Sequence, residues 1–142
     1  MSATANLPIE DLARGVLESV TDGKLVLRIT GTNYKIHLVP SGSISRLAPN
    51  VGKRVKGRIH ANALRLFKAE GGGGGQFIEP IWGQPRIVAG LVQHVDAANR
   101  RILVEIAVPM WLTVEPDQKP ESFAPGDMVN CYVQSGATFS PA

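Results

Sequence analysis

The stretch that decides how this chain folds is GKRVKGRIHANALRLFK, Gly52–Lys68. In its first half Arg54, Lys56, Arg58 and His60 alternate with Val55, Gly57 and Ile59. Period-two alternation is the pattern of a half-buried strand, with one face in the core and one in water. ALRLF reads as a second short strand, and Ala61-Asn62 between them as a two-residue turn. The stretch is then a hairpin. His60 faces Ala63, Arg58 faces Arg65 and Lys56 faces Phe67, with Val55, Ile59, Leu64 and Leu66 on the buried side. Directly opposed like charges destabilise a sheet by up to about 1 kcal/mol. The row of cations is therefore either a grip on something anionic or the solvated face of an ordinary strand.

Upstream, GVLESV (15–20), KLVLRI (24–29) and YKIHLV (34–39) are short, partly alternating strands, with turn signals at Thr21-Asp22-Gly23 and Thr30–Asn33. If Gly31-Thr32 forms the turn, Arg28 faces Lys35, Val26 faces His37, and Leu27 and Ile36 point inward. This gives a second like-charge pair. SGSISRL (41–47) reads as one or two helical turns capped by Ser41 or Ser43. The order is strand, strand, strand, short helix, strand, strand.

Downstream, EGGGGGQ (70–76) is a flexible linker, spanning at most ~18 Å. FIEPIWGQPRI (77–87) is too apolar for a free linker, so Phe77, Ile81 and Trp82 are expected to dock on a barrel. The first half then comes round again. GVLESV matches GLVQHV (90–95), LVLRI (25–29) matches ILVEI (102–106), and YKIHLVP (34–40) matches MWLTVEP (110–116). APNVGKRVKGRIHANA (48–63) matches FAPGDMVNCYVQSGA (123–137) with one gap. Two readings are open, an internal duplication with a period of about 75 residues and chance resemblance.

The order of elements is that of an OB-fold, a small, partly open Greek-key barrel. Within residues 14–67, ARGVLESVTDGKLVLRITGTNYKIHLVP…LAPNVGKRV is similar to the N-terminal barrel of the bacterial Holliday-junction branch-migration subunit. SISRLAPNVGKRVKGRIHANALRL is similar to the last half of molybdate-binding small barrels. Both resemblances imply the fold, and fold alone does not carry function. The expectation is all-β, two tandem five-stranded OB-like barrels joined by a Gly-rich linker. The boundaries are a flexible tail at 1–11, a basic barrel at 12–69, the linker and docked segment at 70–85, and a second barrel at 86–142.

Charge separates the halves. Residues 1–75 hold 11 Lys/Arg against 5 Asp/Glu, a net +6, and residues 76–142 hold 4 against 7, a net −3. That asymmetry speaks to partners. The start has neither the basic nor the apolar region of a secretion signal, and no apolar run approaches the ~20 residues of a membrane span. Cys131 is alone, which fits a reducing cytoplasm, and it sits in an apolar alternation that reads as buried. His37, His60 and His94 lack metal-ligand spacing. There is neither a nucleophile elbow nor a phosphate loop, so no catalytic residue, metal or cofactor is expected.

The expected role is a small non-enzymatic binding module. Its ligand is nucleic acid, held through backbone phosphates by Arg28, Lys35, Arg54, Lys56, Arg58 and Arg65, with His37 and His60 as hydrogen-bond donors. In the second repeat Lys35, Arg58 and Arg65 become Trp111, Tyr132 and Phe139, an aromatic contact face. Those rings read as a stacking platform or as packing against FIEPIW, the first barrel or another subunit. The second function in view is thus a protein-interaction or self-assembly module. A third is small-oxyanion binding.

Overall fold

The computed structural model describes residues 9–42, 44–69 and 75–142. Most of the expected tail at 1–11 falls outside them. Ser43 as a cap, and most of the glycine linker, lie outside them altogether.

The chain is all-β. Three strands, β1 (Ala13–Val20), β2 (Leu25–Arg28) and β3 (Lys35–Pro40), form an antiparallel meander. Two short 3₁₀ turns, Ile44–Arg46 and Ala48–Asn50, stand where a short helix was expected. The next strand, β4, runs unbroken from Arg54 to Lys68. Ala61 and Asn62 lie within it, so the expected hairpin is corrected to one strand of 15 residues. The reason is local. A two-residue hairpin turn favours residues that accept positive φ, above all glycine, and neither Ala61 nor Asn62 adopts it. Gly57, Ile59, Ala61 and Ala63 instead continue one inward-facing file.

Beyond β4 lie β5 (Phe77–Glu79), β6 (Trp82–Gly83), β7 (Ile87–Asp96), β8 (Arg101–Glu105), β9 (Pro109–Thr113), β10 (Met128–Val133) and β11 (Thr138–Pro141). A closed five-strand barrel is formed by the pairings β1–β2, β2–β3, β3–β11, β11–β4 and β4–β1. Its fifth strand comes from the far end of the chain. Thr138 and Phe139 run parallel to Val39 and Pro40 and antiparallel to His60 and Ile59. Outside this barrel, β4 continues and pairs with β10 over Ala63–Lys68, and β10 pairs with β7, β7 with β8, and β8 with β9. β9 returns to the middle of β4 in parallel, setting Trp111 beside His60. β5 adds to β7, and β6 adds to β3.

Two irregularities recur. β1 shifts register against β2 between Leu17 and Ser19, and β7 shifts against β8 between Val92 and His94. A third shift occurs between Tyr132 and Val133 of β10. Tyr132 pairs with Arg65 and Val133 with Ala63, which leaves Leu64 as an extra residue. Such a bulge turns the strand's facing by one residue. It sends Leu64 to the surface instead of the expected core, while Leu66 is buried.

The core is one continuous apolar cluster running from Leu17, Leu25 and Ile36 through Ile59 to Ile102, Leu112 and Phe139. No charged or polar residue is buried among the described residues. FIEPIW docks as expected, with β5 on β7, β6 on β3 and Phe77 half-buried, but Ile81 and Trp82 do not enter the core. Ile78 carries the burial, whereas Ile81 is exposed and Trp82 is 67% exposed. Trp82 holds to the surface by donating its indole N–H to Asn33 O at 2.9 Å. Among the described residues no helix is long and apolar enough to cross a membrane.

Candidate nucleic-acid interface

The outer surface of the barrel is built by strand alternation. Because Ala13, Gly15, Leu17, Leu25 and Leu27 face in, Arg14, Val16, Val26 and Arg28 face out. On β4 the outward file is Arg54, Lys56 and Arg58. The register joins these files. Arg54 lies opposite Val16, Val16 opposite Arg28, and Arg28 opposite Lys35. This line crosses four adjacent strands and is about 14 Å long at the usual strand spacing. Arg14 lies opposite Lys56, a like-charge pair that sequence reasoning missed. The Arg28–Lys35 and Val26–His37 pairs form as expected from the β2–β3 turn.

The cations divide into two classes. Arg28 and Lys35 share Glu18, with Arg28 Nε to Oε2 at 3.1 Å and Lys35 Nζ to Oε1 at 3.3 Å. Lys35 also sits 5.3 Å from the Trp82 ring centre, within reach of a cation–π attraction. Arg58 pairs with Asp11 at 2.9 Å, and Arg65 with Asp117 at 2.9 Å. Arg58 therefore does not face Arg65; its partner across β11 is Ser140, and that of Arg65 is Tyr132. Four of the six expected phosphate ligands thus have a carboxylate already.

Arg54 and Lys56 form no ion pair among the described residues. Arg14 has only a long contact of 3.8 Å to Glu10, and both side chains are largely in water. Exposed pairs of that kind contribute little. Arg54 and Lys56 stand between two grooves. One, of about 640 Å³, is bounded by Arg14, Arg54, Lys56, Ile29, Ala107 and Pro109. The other, of about 250 Å³, reaches Arg46, Asn50 and Ala142. Arg46 also lacks an ion-pair partner among the described residues.

His60 differs from the free donor expected of it. Arg101 donates from Nη1 to His60 Nε2 at 3.2 Å. An arginine only donates, so His60 is the neutral tautomer protonated on Nδ1. Burial lowers its pKa, and Arg101 lowers it further; Asp11 opposes and Arg58 assists. His60 is thus part of a framework. His37 is on the outer face, and burial, then Lys24, lower its pKa as well.

The expected aromatic face comes apart. Trp111 is 3% exposed, Phe139 is fully buried and Tyr132 is 51% exposed. Arg101 lies 3.9 Å over the Trp111 ring, and Trp111 Nε1 donates to Asp11 at 3.1 Å. Burial raises the Asp11 pKa, but the hydrogen bonds from Trp111 and Arg58 outweigh it, and the net shift is downward. Tyr132 has different neighbours. It meets Phe67 edge-on at 6.1 Å, beside exposed Leu64. The repeat alignment sets Phe139 over Arg65. The strands instead set Phe139 beside Ile59, inside the barrel.

Among the described residues no group of three or more His, Cys, Asp or Glu is placed to hold a metal ion. Burial pushes the Cys131 thiol up to about 12, which suppresses its thiolate at neutral pH. Comparison with family models, with curated proteins and with solved structures found no match to this chain.

Proposed function

We propose that this protein is a non-enzymatic, cytoplasmic binding module for nucleic acid, gripping backbone phosphates with little sequence preference. One observation carries the reading. Arg54, Lys56 and Arg14 are brought together on adjacent strands without a close carboxylate partner among the described residues, whereas the other outward cations of the row are matched. Phosphates laid across β1 and β4 would relieve that repulsion and release counterions. The fold reading that accompanies it is two OB-like barrels related by duplication. Each takes its fifth strand from the other half, β11 in the first and the end of β4 in the second. The matching register shifts in β1 and β7 support it.

The test is fluorescence anisotropy with labelled oligonucleotides at two salt concentrations. Arg54→Ser/Lys56→Ser should weaken binding and reduce the salt slope by about 2. Arg58→Ser/Arg65→Ser should change it much less. Absence of binding by the wild type at low salt would end the reading.

A second reading is self-assembly. Its supporting observation is the exposed cluster of Leu64, Phe67 and Tyr132, since apolar patches on a surface mark contacts. The opposite net charges of the two halves suit a second copy of the chain as partner. Elution as a salt-sensitive oligomer free of nucleic acid, lost in Tyr132→Ser, would favour it.

A further inference from the structure

The larger groove has a composition that a phosphate grip alone does not require. Its rim is cationic, with Arg14, Arg54 and Lys56, and its floor is aliphatic, with Ile29, Ala107 and Pro109. Two parts of the chain build it. Arg14 and Lys56 come from the β1–β4 pair, and Ala107 and Pro109 from the connection between β8 and β9. Gly15 contributes to the same wall. A side chain there would run into Arg28 O at 2.6 Å and Leu27 at 3.0 Å, so the close approach of β1 and β2 holds this position to glycine.

A duplex offers this groove only phosphates, because its bases are stacked and paired. A single strand offers phosphates and also the apolar face of an unstacked base. The volume, about 640 Å³, is within the range of small-ligand clefts. Resting on the nucleic-acid reading above, we propose that the groove takes one base of a single strand. The base lies against Ile29, Ala107 and Pro109, while Arg54 and Lys56 hold the flanking phosphates. The strand then passes over Arg54 and Lys56 into the smaller groove, where Arg46 meets the next phosphates. The protein thereby distinguishes single-stranded from duplex nucleic acid, at a place on β1 and β4 and not on the β2–β3 face.

The test compares a labelled oligothymidylate with a duplex of the same length. Wild type is run beside Ala107→Leu and Thr30→Ile. Both variants fill the groove without changing charge, and Thr30 is exposed, so its replacement leaves the core alone. The wild type should prefer the single strand roughly tenfold, a difference of about 1.4 kcal/mol. Either variant should erase that preference while leaving duplex binding in place. Equal affinity of the wild type for both probes would overturn the inference but spare the phosphate grip. So would a preference that survives both variants. Binding to neither probe would overturn the grip and the inference together.

Discussion

Gly15 and Gly90 occupy equivalent places in the two halves of the chain. Each sits on the strand before a register shift, under the carbonyl of a strand that pairs with it. A Cβ on Gly15 would press on Arg28 O, and one on Gly90 on Glu105 O. The backbones around them are therefore close relatives in shape, yet their outer faces differ. Beside Gly15 the neighbouring strand presents Arg28, with Arg14, Arg54 and Lys56 close by. Beside Gly90 it presents Glu105, whose pKa burial raises, with a further push from Glu10. The lesson is that backbone constraints and surface chemistry vary separately: close approach demands glycine in both places and leaves the outward positions unconstrained.

The comparison is most sharply tested by the three aromatic residues. Phe139→Ala and Trp111→Ala should each cost about 3–5 kcal/mol, measured by urea unfolding. Tyr132→Ala, on the exposed side of β10, should stay within about 1 kcal/mol. Similar costs for all three would mean that they share one environment after all.

Next in size are the glycines. Gly15→Ala and Gly90→Ala should each destabilise by about 1–3 kcal/mol, because the new methyl meets backbone that cannot step aside. Tolerance at one site only would break the parallel between the halves.

The smallest effect is expected at His60, whose aligned position in the second half is Gln134. Its folded pKa lies below its ordinary value of 6.5, so the unfolded chain binds the proton more readily. The associated stability is present in full above pH 6.5 and drains away as the pH falls from there through the depressed folded value. His37 adds a contribution of the same sign in the same window. His60→Gln should flatten the pH dependence of thermal unfolding in that window in part. An unchanged profile would show that His60 titrates normally.

Much of the barrel was legible because its turns are written in glycine, threonine and asparagine. Gly31 takes a φ of 81° between β2 and β3, and the Arg28–Lys35 register follows from it. β4 was not legible as one strand. Its apolar alternation changes phase at the bulged Leu64, and such a phase change looks the same in sequence as two strands and a turn. The state of the cations was hidden for another reason. Asp11, Glu18 and Asp117 reach Arg58, Arg28 and Arg65 across 47, 10 and 52 residues. No local pattern signals such pairs. Arg54 and Lys56 were singled out from alternation alone. Arg14 was missed because its significance depends on facing Lys56 across two strands far apart in the chain.

The strand β11 has a consequence for how the molecule comes into being. A nascent chain emerges with β1, β2, β3 and β4 in order, but the seat between β3 and β4 stays vacant until Thr138–Pro141 have been made. Until then the first barrel has two open edges, and open edges recruit other strands. The half that is translated first therefore waits on a strand made about 70 residues after β4, and the newborn protein depends on Thr138–Pro141 to close the gap before a neighbour does.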